Sequence, residues 1–253
     1  MKKDDLKKLL DEKLLKANTD QNLFDQPDPL QVAKKQNDPL IALVCALFAY
    51  GNAKLILKFL NSLDFGLLNE SDEEIRSNLI SQNKLYRFQN PKDVSEIFIT
   101  IKRLKELDVE QILVNGFNQN GQMIDAINSL IAQIYKLNLY KSDGFEFFFG
   151  RTFEAEPKSP YKRYNMWLRW MVRHSDIDLG LFSKLPRSEL ILPLDTHTHK
   201  VSLALGLCER KSYDFKAAWQ ITANLKEFDP NDPIKYDFAL YRIGQSKELA
   251  SLI

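Results

Sequence analysis

Apolar residues recur along this chain at three- and four-residue intervals, and no convincing two-residue alternation or sustained internal repeat interrupts them. Residues 2–16 set Leu6, Leu9, Leu10 and Leu14 on one stripe of a charged helix. Residues 17–35 are polar, contain Pro27 and Pro29, and read as a linker or wrapped loop. Asp38-Pro39 then supplies an N-cap and a proline at the first helical position, and residues 40–50 are apolar on almost every face until Gly51. A helix with that pattern belongs in the centre of a core. Residues 53–63 predict a further apolar helix, and Ser71-Asp72-Glu73-Glu74 has capping-box spacing for another. From Pro91, Val94, Ile97, Phe98, Ile101 and Leu104 recur at helical intervals. A short helix over 109–114 ends at Asn115-Gly116, and residues 121–138 repeat the helical pattern.

The second half continues in the same way. Phe145 to Phe149 form an aromatic run whose ordinary use is core packing, followed by a polar loop to Pro160. In the segment 161–173, Tyr164, Trp167, Leu168, Met171 and Val172 fall on one helix face and Lys162, Asn165, Arg169 and Arg173 on the opposite one. A turn of helix over 186–191 follows, then a helix opened by Asp195 and closed at Gly206, one over 214–228, and a last one opened by Asp232-Pro233. The fold class is all-α, with about ten or eleven helices and no Gly- or Ser-rich linker to separate freely moving domains.

Composition narrows the function classes without choosing one. Thirty-five basic and thirty-four acidic residues leave a net charge of +1, so nucleic-acid binding has to come from local clustering and not from bulk charge. Cys45 and Cys208 supply neither a disulfide framework nor a cysteine cluster for metal. No apolar run approaches the roughly 20 residues of a membrane span, and the charged start Met1-Lys2-Lys3-Asp4-Asp5 is unlike a signal peptide, so the expected location is the cytoplasm and no membrane partner is expected.

Two residues carry candidate chemistry. Lys162 opens the arginine-bearing helix, and a free lysine is only about 0.04% unprotonated at pH 7, so use as a nucleophile needs desolvation or cationic neighbours. Arg163, Arg169 and Arg173 supply such neighbours, or contacts to phosphate. Asp195 has the position of an N-cap, where helix donors keep a carboxylate ionised and able to hold a cation or a base. His197 and His199, two apart, point about 200° from each other on a helix and suit a single ion poorly, so no metal ligand is assigned.

Around these positions the chain resembles the helix-hairpin-helix DNA glycosylase and AP lyase superfamily. Lys162 with Asn165 and Leu168 looks like that family's lysine helix, and Leu194-Asp195-Thr196-His197 followed by Val201 and Leu205-Gly206-Leu207 looks like its aspartate motif. More closely, the chain is similar to an uncharacterised bacterial family within or beside that superfamily. The blocks that carry this similarity are Ala49-Tyr50-Gly51-Asn52, the run from Lys162 to Arg173, Pro193-Leu194-Asp195-Thr196-His197, and the run from Phe228 to Leu240. The chain has Pro157-Lys158-Ser159-Pro160-Tyr161 where the glycosylases carry Leu-Pro-Gly-Val-Gly, and no four-cysteine cluster follows Asp195, so an iron–sulfur cofactor is not expected.

The resemblance implies one glycosylase-like unit over 1–253, with a lobe of central helices over 38–175 and a lobe of terminal helices over 1–37 plus 190–253 flanking a cleft. It implies DNA as partner, leaving RNA open, and excision of a flipped damaged base through a Lys162 Schiff base assisted by Asp195. Arg163, Arg169 and Arg173 are then expected on phosphates, and Tyr161 or Trp170 against the base. The alternative on the same scaffold is a non-catalytic nucleic-acid-binding or interaction protein in which Lys162 and Asp195 form a structural ion pair.

Overall fold

The computed structural model of the chain describes residues 2–245. Among these, fourteen α-helices and three short 3-10 turns occur and no strand; the two β-type contacts, Tyr86 with Gln89 and His174 with Leu179, are isolated. No helix of the described residues is long and apolar enough to cross a membrane. The helices divide into two compact units, one of residues 28–154 and one of residues 1–27 plus 155–253. Met1 and residues 246–253, which the expected terminal lobe included, lie outside the described residues.

The first of these units is built around two helices that cannot face water. In α4 (Pro39–Leu47), Asp38 caps the start by accepting from Leu40 N and Ile41 N at 2.8 and 2.9 Å, and every side chain from 42 to 47 is fully buried. In α7 (Pro91–Leu104), Asn90 and Asp93 form a capping box, and Val94, Ile97, Phe98, Ile99 and Ile101 are fully buried. Around them stand α3 (Leu30–Gln36), α5 (Ala53–Leu60), α6 (Asp72–Ser81), α8 (Val109–Asn120), α9 (Met123–Leu137) and α10 (Asp143–Phe149). Asp72 ties α6 to α7 by accepting from Lys102 Nζ at 2.9 Å and Arg103 Nη2 at 2.7 Å. The aromatic run packs as expected at Phe145, Phe148 and Phe149, all fully buried, while Phe147 reaches the surface.

Two local expectations are corrected. The polar stretch 17–35 is not a linker: it holds α2 (Asp20–Phe24), capped by Thr19, and most of α3. Nor does Asn115-Gly116 end a helix, because α8 runs on to Asn120 and stops at Gly121, whose φ of 70° is left-handed. Gly116 is in the helix for a different reason. A Cβ there would meet Ser129 Oγ at 2.5 Å, Asp125 O at 2.7 Å and Ala126 Cα at 2.8 Å, so the missing side chain is what lets α8 lie directly on α9.

The other unit joins the two ends of the chain. It contains α1 (Lys3–Ala17), α2, α11 (Lys162–Val172), α12 (Thr196–Ala204), α13 (Phe215–Lys226) and α14 (Asp237–Gln245). α1 packs on α14 and on the 3-10 turn Pro233–Tyr236. Tyr236 Oη donates to Asp11 at 2.8 Å, Arg242 Nη2 to the Asn22 carbonyl at 2.6 Å, and Asn18 Nδ2 to the Lys235 carbonyl at 3.3 Å. The N-terminal segment thus returns to the C-terminal helices. The lysine helix α11 belongs here too, and not to a central lobe reaching residue 175.

Gly116→Ala is expected to lower stability by about 1–3 kcal/mol, the usual cost of overpacking, because two of the three atoms it meets are backbone. A urea unfolding midpoint unchanged from wild type removes this account of the α8–α9 crossing. Burial raises the Asp72 carboxyl, but the hydrogen bonds and charges of Lys102 and Arg103 outweigh it and hold the group below its usual range. Its contribution is therefore present above the unfolded value of about 3.9 and is lost as pH falls through the lower folded value. An acid titration of Asp72→Asn should show a shallower loss of stability below that pH than wild type.

Candidate functional site

Lys162 is the first residue of α11, and the backbone just before it is unusual. Tyr161 occupies the N-cap with φ 46° and ψ 39°, a left-handed conformation that glycine takes readily and a tyrosine rarely does. Asn165 holds the turn by donating from Nδ2 to the Pro160 carbonyl at 2.9 Å, and Tyr161 keeps its ring half-buried, 6.3 Å from that of Tyr164. Lys162 and Arg163 are also half-buried.

Further along, α11 departs from the amphipathic pattern. Every residue from 164 to 172 is buried, Asn165 at 1%, Arg169 at 4% and Trp170 at 1% exposure, and Arg173 at 5% follows the helix. The cause is a set of carboxylates that meets the polar stripe inside the unit. Arg169 Nε donates to Asp178 at 3.1 Å and its Nη1 to Asp237 at 2.6 Å. Arg173 makes a two-pronged pair with Asp232 at 2.9 and 3.0 Å and a further bond to Asp178. The expectation that Arg169 and Arg173 face phosphate is therefore corrected: their donors are committed to buried aspartates. Trp170, expected against a flipped base, is core.

Asp195 is the N-cap of α12, its Oδ1 accepting from Thr198 N at 2.7 Å, and it is half-buried. Tyr213 donates to the neighbouring Leu194 carbonyl at 2.7 Å, and its phenol is pushed up to about 12 by burial, with the Asp195 charge adding to the rise. His199 is spent on the Arg210 carbonyl at 2.9 Å, whereas His197 is exposed.

Lys162 and Asp195 both belong to this one unit, and one buried group senses both. The Asp237 carboxyl is raised by burial; Arg169 opposes the rise, the Asp195 charge adds to it and the Lys162 ammonium counters it. Both side chains therefore lie within electrostatic reach of Asp237, the first residue of α14. Neither is in an ion pair among the described residues, so the direct Lys162–Asp195 pair of the alternative reading is absent from them. The arrangement offers an amine and a carboxylate at two helix starts, with Arg169 and Arg173 meeting three aspartates behind them and Arg187 Nε 3.9 Å from Asp232.

Asp178, Asp232 and Asp237 are the residues that sequence reasoning missed. Their signal was two arginines four apart in an otherwise aromatic helix, together with the acidic run that begins at Asp229. Such arginines inside an apolar pattern require buried carboxylates.

The fold and the site define an all-α protein with a lysine and a capping aspartate at the starts of two helices of one unit. The chain belongs to the family described as Protein of unknown function (DUF2400), whose model matches residues 28–246. No curated protein and no solved structure matches it.

Arg173→Ala should destabilise the protein by about 3–5 kcal/mol, because it takes the two-pronged partner from buried Asp232 and leaves buried Asp178 with Arg169 as its remaining arginine. A loss under about 1 kcal/mol by denaturant titration, the level of an exposed pair, removes the network from its structural role.

Proposed function

We propose that the protein acts as a DNA glycosylase/AP lyase of the helix-hairpin-helix type, excising a damaged base that it flips into a cleft. The observation that carries this reading is the placement of Lys162 as the first residue of α11 and Asp195 as the N-cap of α12 within one compact unit, a half-buried amine and a half-buried carboxylate at two helix starts. In the reaction the unprotonated Lys162 Nζ attacks C1′ of the sugar. The bond from C1′ to the base breaks and its electron pair leaves with the base, which takes a proton from water; the nitrogen lone pair then forms the C=N bond as the C1′–O4′ bond breaks, giving a protonated Schiff base and an O4′ hydroxyl that takes up the proton the amine released. Asp195 takes the proton released from the amine or balances the positive charge that develops on the sugar. Arg169 and Arg173 are committed to aspartates, and the reading assigns Arg163 to a phosphate and Tyr161 to the flipped base.

That commitment of both arginines also favours a second reading, in which the same scaffold serves as a non-catalytic nucleic-acid-binding or interaction protein.

Borohydride trapping on abasic and oxidised-base oligonucleotides separates the two. Lys162→Gln is expected to abolish the covalent adduct while changing DNA binding only a few fold. Asp195→Asn, which still caps α12, should lower turnover about a hundredfold with little change in stability. If wild-type protein forms no adduct on any such lesion, the glycosylase reading fails and the binding reading stands.

A further inference from the structure

The unit of residues 28–154 carries aromatic surface that its core does not enclose. A turn, Tyr86-Arg87-Phe88-Gln89, is closed by Tyr86 N donating to the Gln89 carbonyl and Gln89 N to the Tyr86 carbonyl, both at 2.9 Å. Its outer residues are anchored inward: both are buried, Tyr86 Oη donates to the Tyr50 carbonyl at 2.7 Å, and Gln89 Nε2 donates to the Gly144 carbonyl at 2.8 Å. Its central residues, Arg87 and Phe88, are exposed. Phe88 is 55% exposed, and Phe147 of α10, its ring 4.6 Å away, is 42% exposed. The Tyr50 ring stacks 6.1 Å from Phe88, 12° from parallel, and meets Phe147 edge-on at 4.9 Å.

Arg87 adds charge to these rings. Its guanidinium carbon lies 5.7 Å from the Tyr50 ring centre and 5.4 Å from that of Phe88, and it is in no ion pair among the described residues. A Cβ at Gly51 would collide with Arg87 Nη1, so glycine there leaves the guanidinium its place beside the rings. The surrounding charge has one sign. Residues 50–62 and 84–92 carry Lys54, Lys58, Lys84, Arg87 and Lys92 and no aspartate or glutamate. Lys54 and Lys58, one turn apart on α5, are exposed. α10 brings Asp143 at its start and Glu146, which Arg151 pairs. Flat apolar rings select a flat partner, and the cations select a polyanion. A duplex keeps its bases stacked on each other, whereas a single strand has base faces to offer.

We propose that this face is a stacking platform for single-stranded nucleic acid. One base lies on the Phe88 ring, and Arg87, Lys54 and Lys58 attract the backbone phosphates on either side of it. The platform belongs to the unit that contains neither Lys162 nor Asp195, so it stands whether or not the Schiff-base reading does.

The test is fluorescence anisotropy of the full chain at low salt with three labelled probes: a thymidine dodecamer, a dodecamer of reduced abasic residues that cannot form a Schiff base, and a duplex of equal length. Wild type should bind the thymidine strand more tightly than either of the others. Phe88→Ala should weaken that binding about tenfold, the effect of losing one base–aromatic stack, and Phe88→Trp should retain it. Arg87→Gln should flatten the slope of log K against log salt by about 0.7, the share of one phosphate on a single strand. Both side chains are exposed, so melting temperatures should stay at the wild-type value; if Arg87→Gln lowers its own, the Phe88 pair alone decides. Lys162→Gln should bind the thymidine strand like wild type. Equal affinity for the baseless strand, preference for the duplex, no binding of the single strand, or affinity unaffected by Phe88→Ala each overturns the proposal. Self-association in sedimentation that Phe88→Ala abolishes, with no strand bound, assigns the face to a second copy of the chain and overturns it too. Absence of borohydride adducts with base stacking intact strikes the glycosylase reading and leaves this one standing; adducts formed without any effect of Phe88→Ala on strand binding do the reverse.

Discussion

Two guanidinium groups inside an aromatic helix govern the architecture of the unit that joins the chain ends. Arg169 and Arg173 are nearly without solvent, and a buried charge is tolerable only when paired and hydrogen-bonded. Their partners come from three places: Asp178 from the loop after α11, Asp232 from the turn before the last helix, and Asp237 from the first residue of α14. None of these segments can move from α11 without stranding a charge. The loop is held further by its backbone, with Leu179 N and Gly180 N donating to the Trp170 carbonyl at 2.8 and 3.1 Å and Phe182 N to Met171 at 2.8 Å. α11 is consequently an interior strut and not a surface helix with a polar face.

That strut orients the candidate chemistry. Lys162 sits at its exposed-side end, where the chain enters through a left-handed tyrosine, and strain of this type at a helix start persists only where its surroundings impose it. Asp195 enters the same neighbourhood from α12. α12 in turn lies against α14 closely enough that a Cβ on Gly244 would be 2.9 Å from His197 Cβ. The buried carboxyl of Asp237 thus stands at the junction of the arginine network and the two site residues, linking what holds the unit together to what it presents.

The charge balance of the whole chain conceals how unevenly charge is placed. Acidic groups gather inside around the arginines, and residues 50–62 and 84–92 carry five basic side chains and no acidic one. A net charge of +1 is compatible with both, because attraction and repulsion are decided by spacing over a few ångströms and not by the sum.

Helices with strong local instructions were legible in the sequence. The cap of α4 at Asp38, the box at Ser71, the cap of α12 at Asp195 and the all-round apolar face of α4 depend on neighbours a few residues apart, and periodicity or capping chemistry reports them directly. The family was legible for the same reason, since its blocks are contiguous. What tertiary structure alone decided was the meaning of residues whose partners are distant. Gly116 reads as a helix stop until α9 is seen against it, and α2 and α3 lie hidden in a polar stretch because they are short. Arg169 and Arg173 read as a solvent-facing stripe because 3.6-residue periodicity sorts polar from apolar but carries no information on whether the polar side meets water or three aspartates up to 68 residues away.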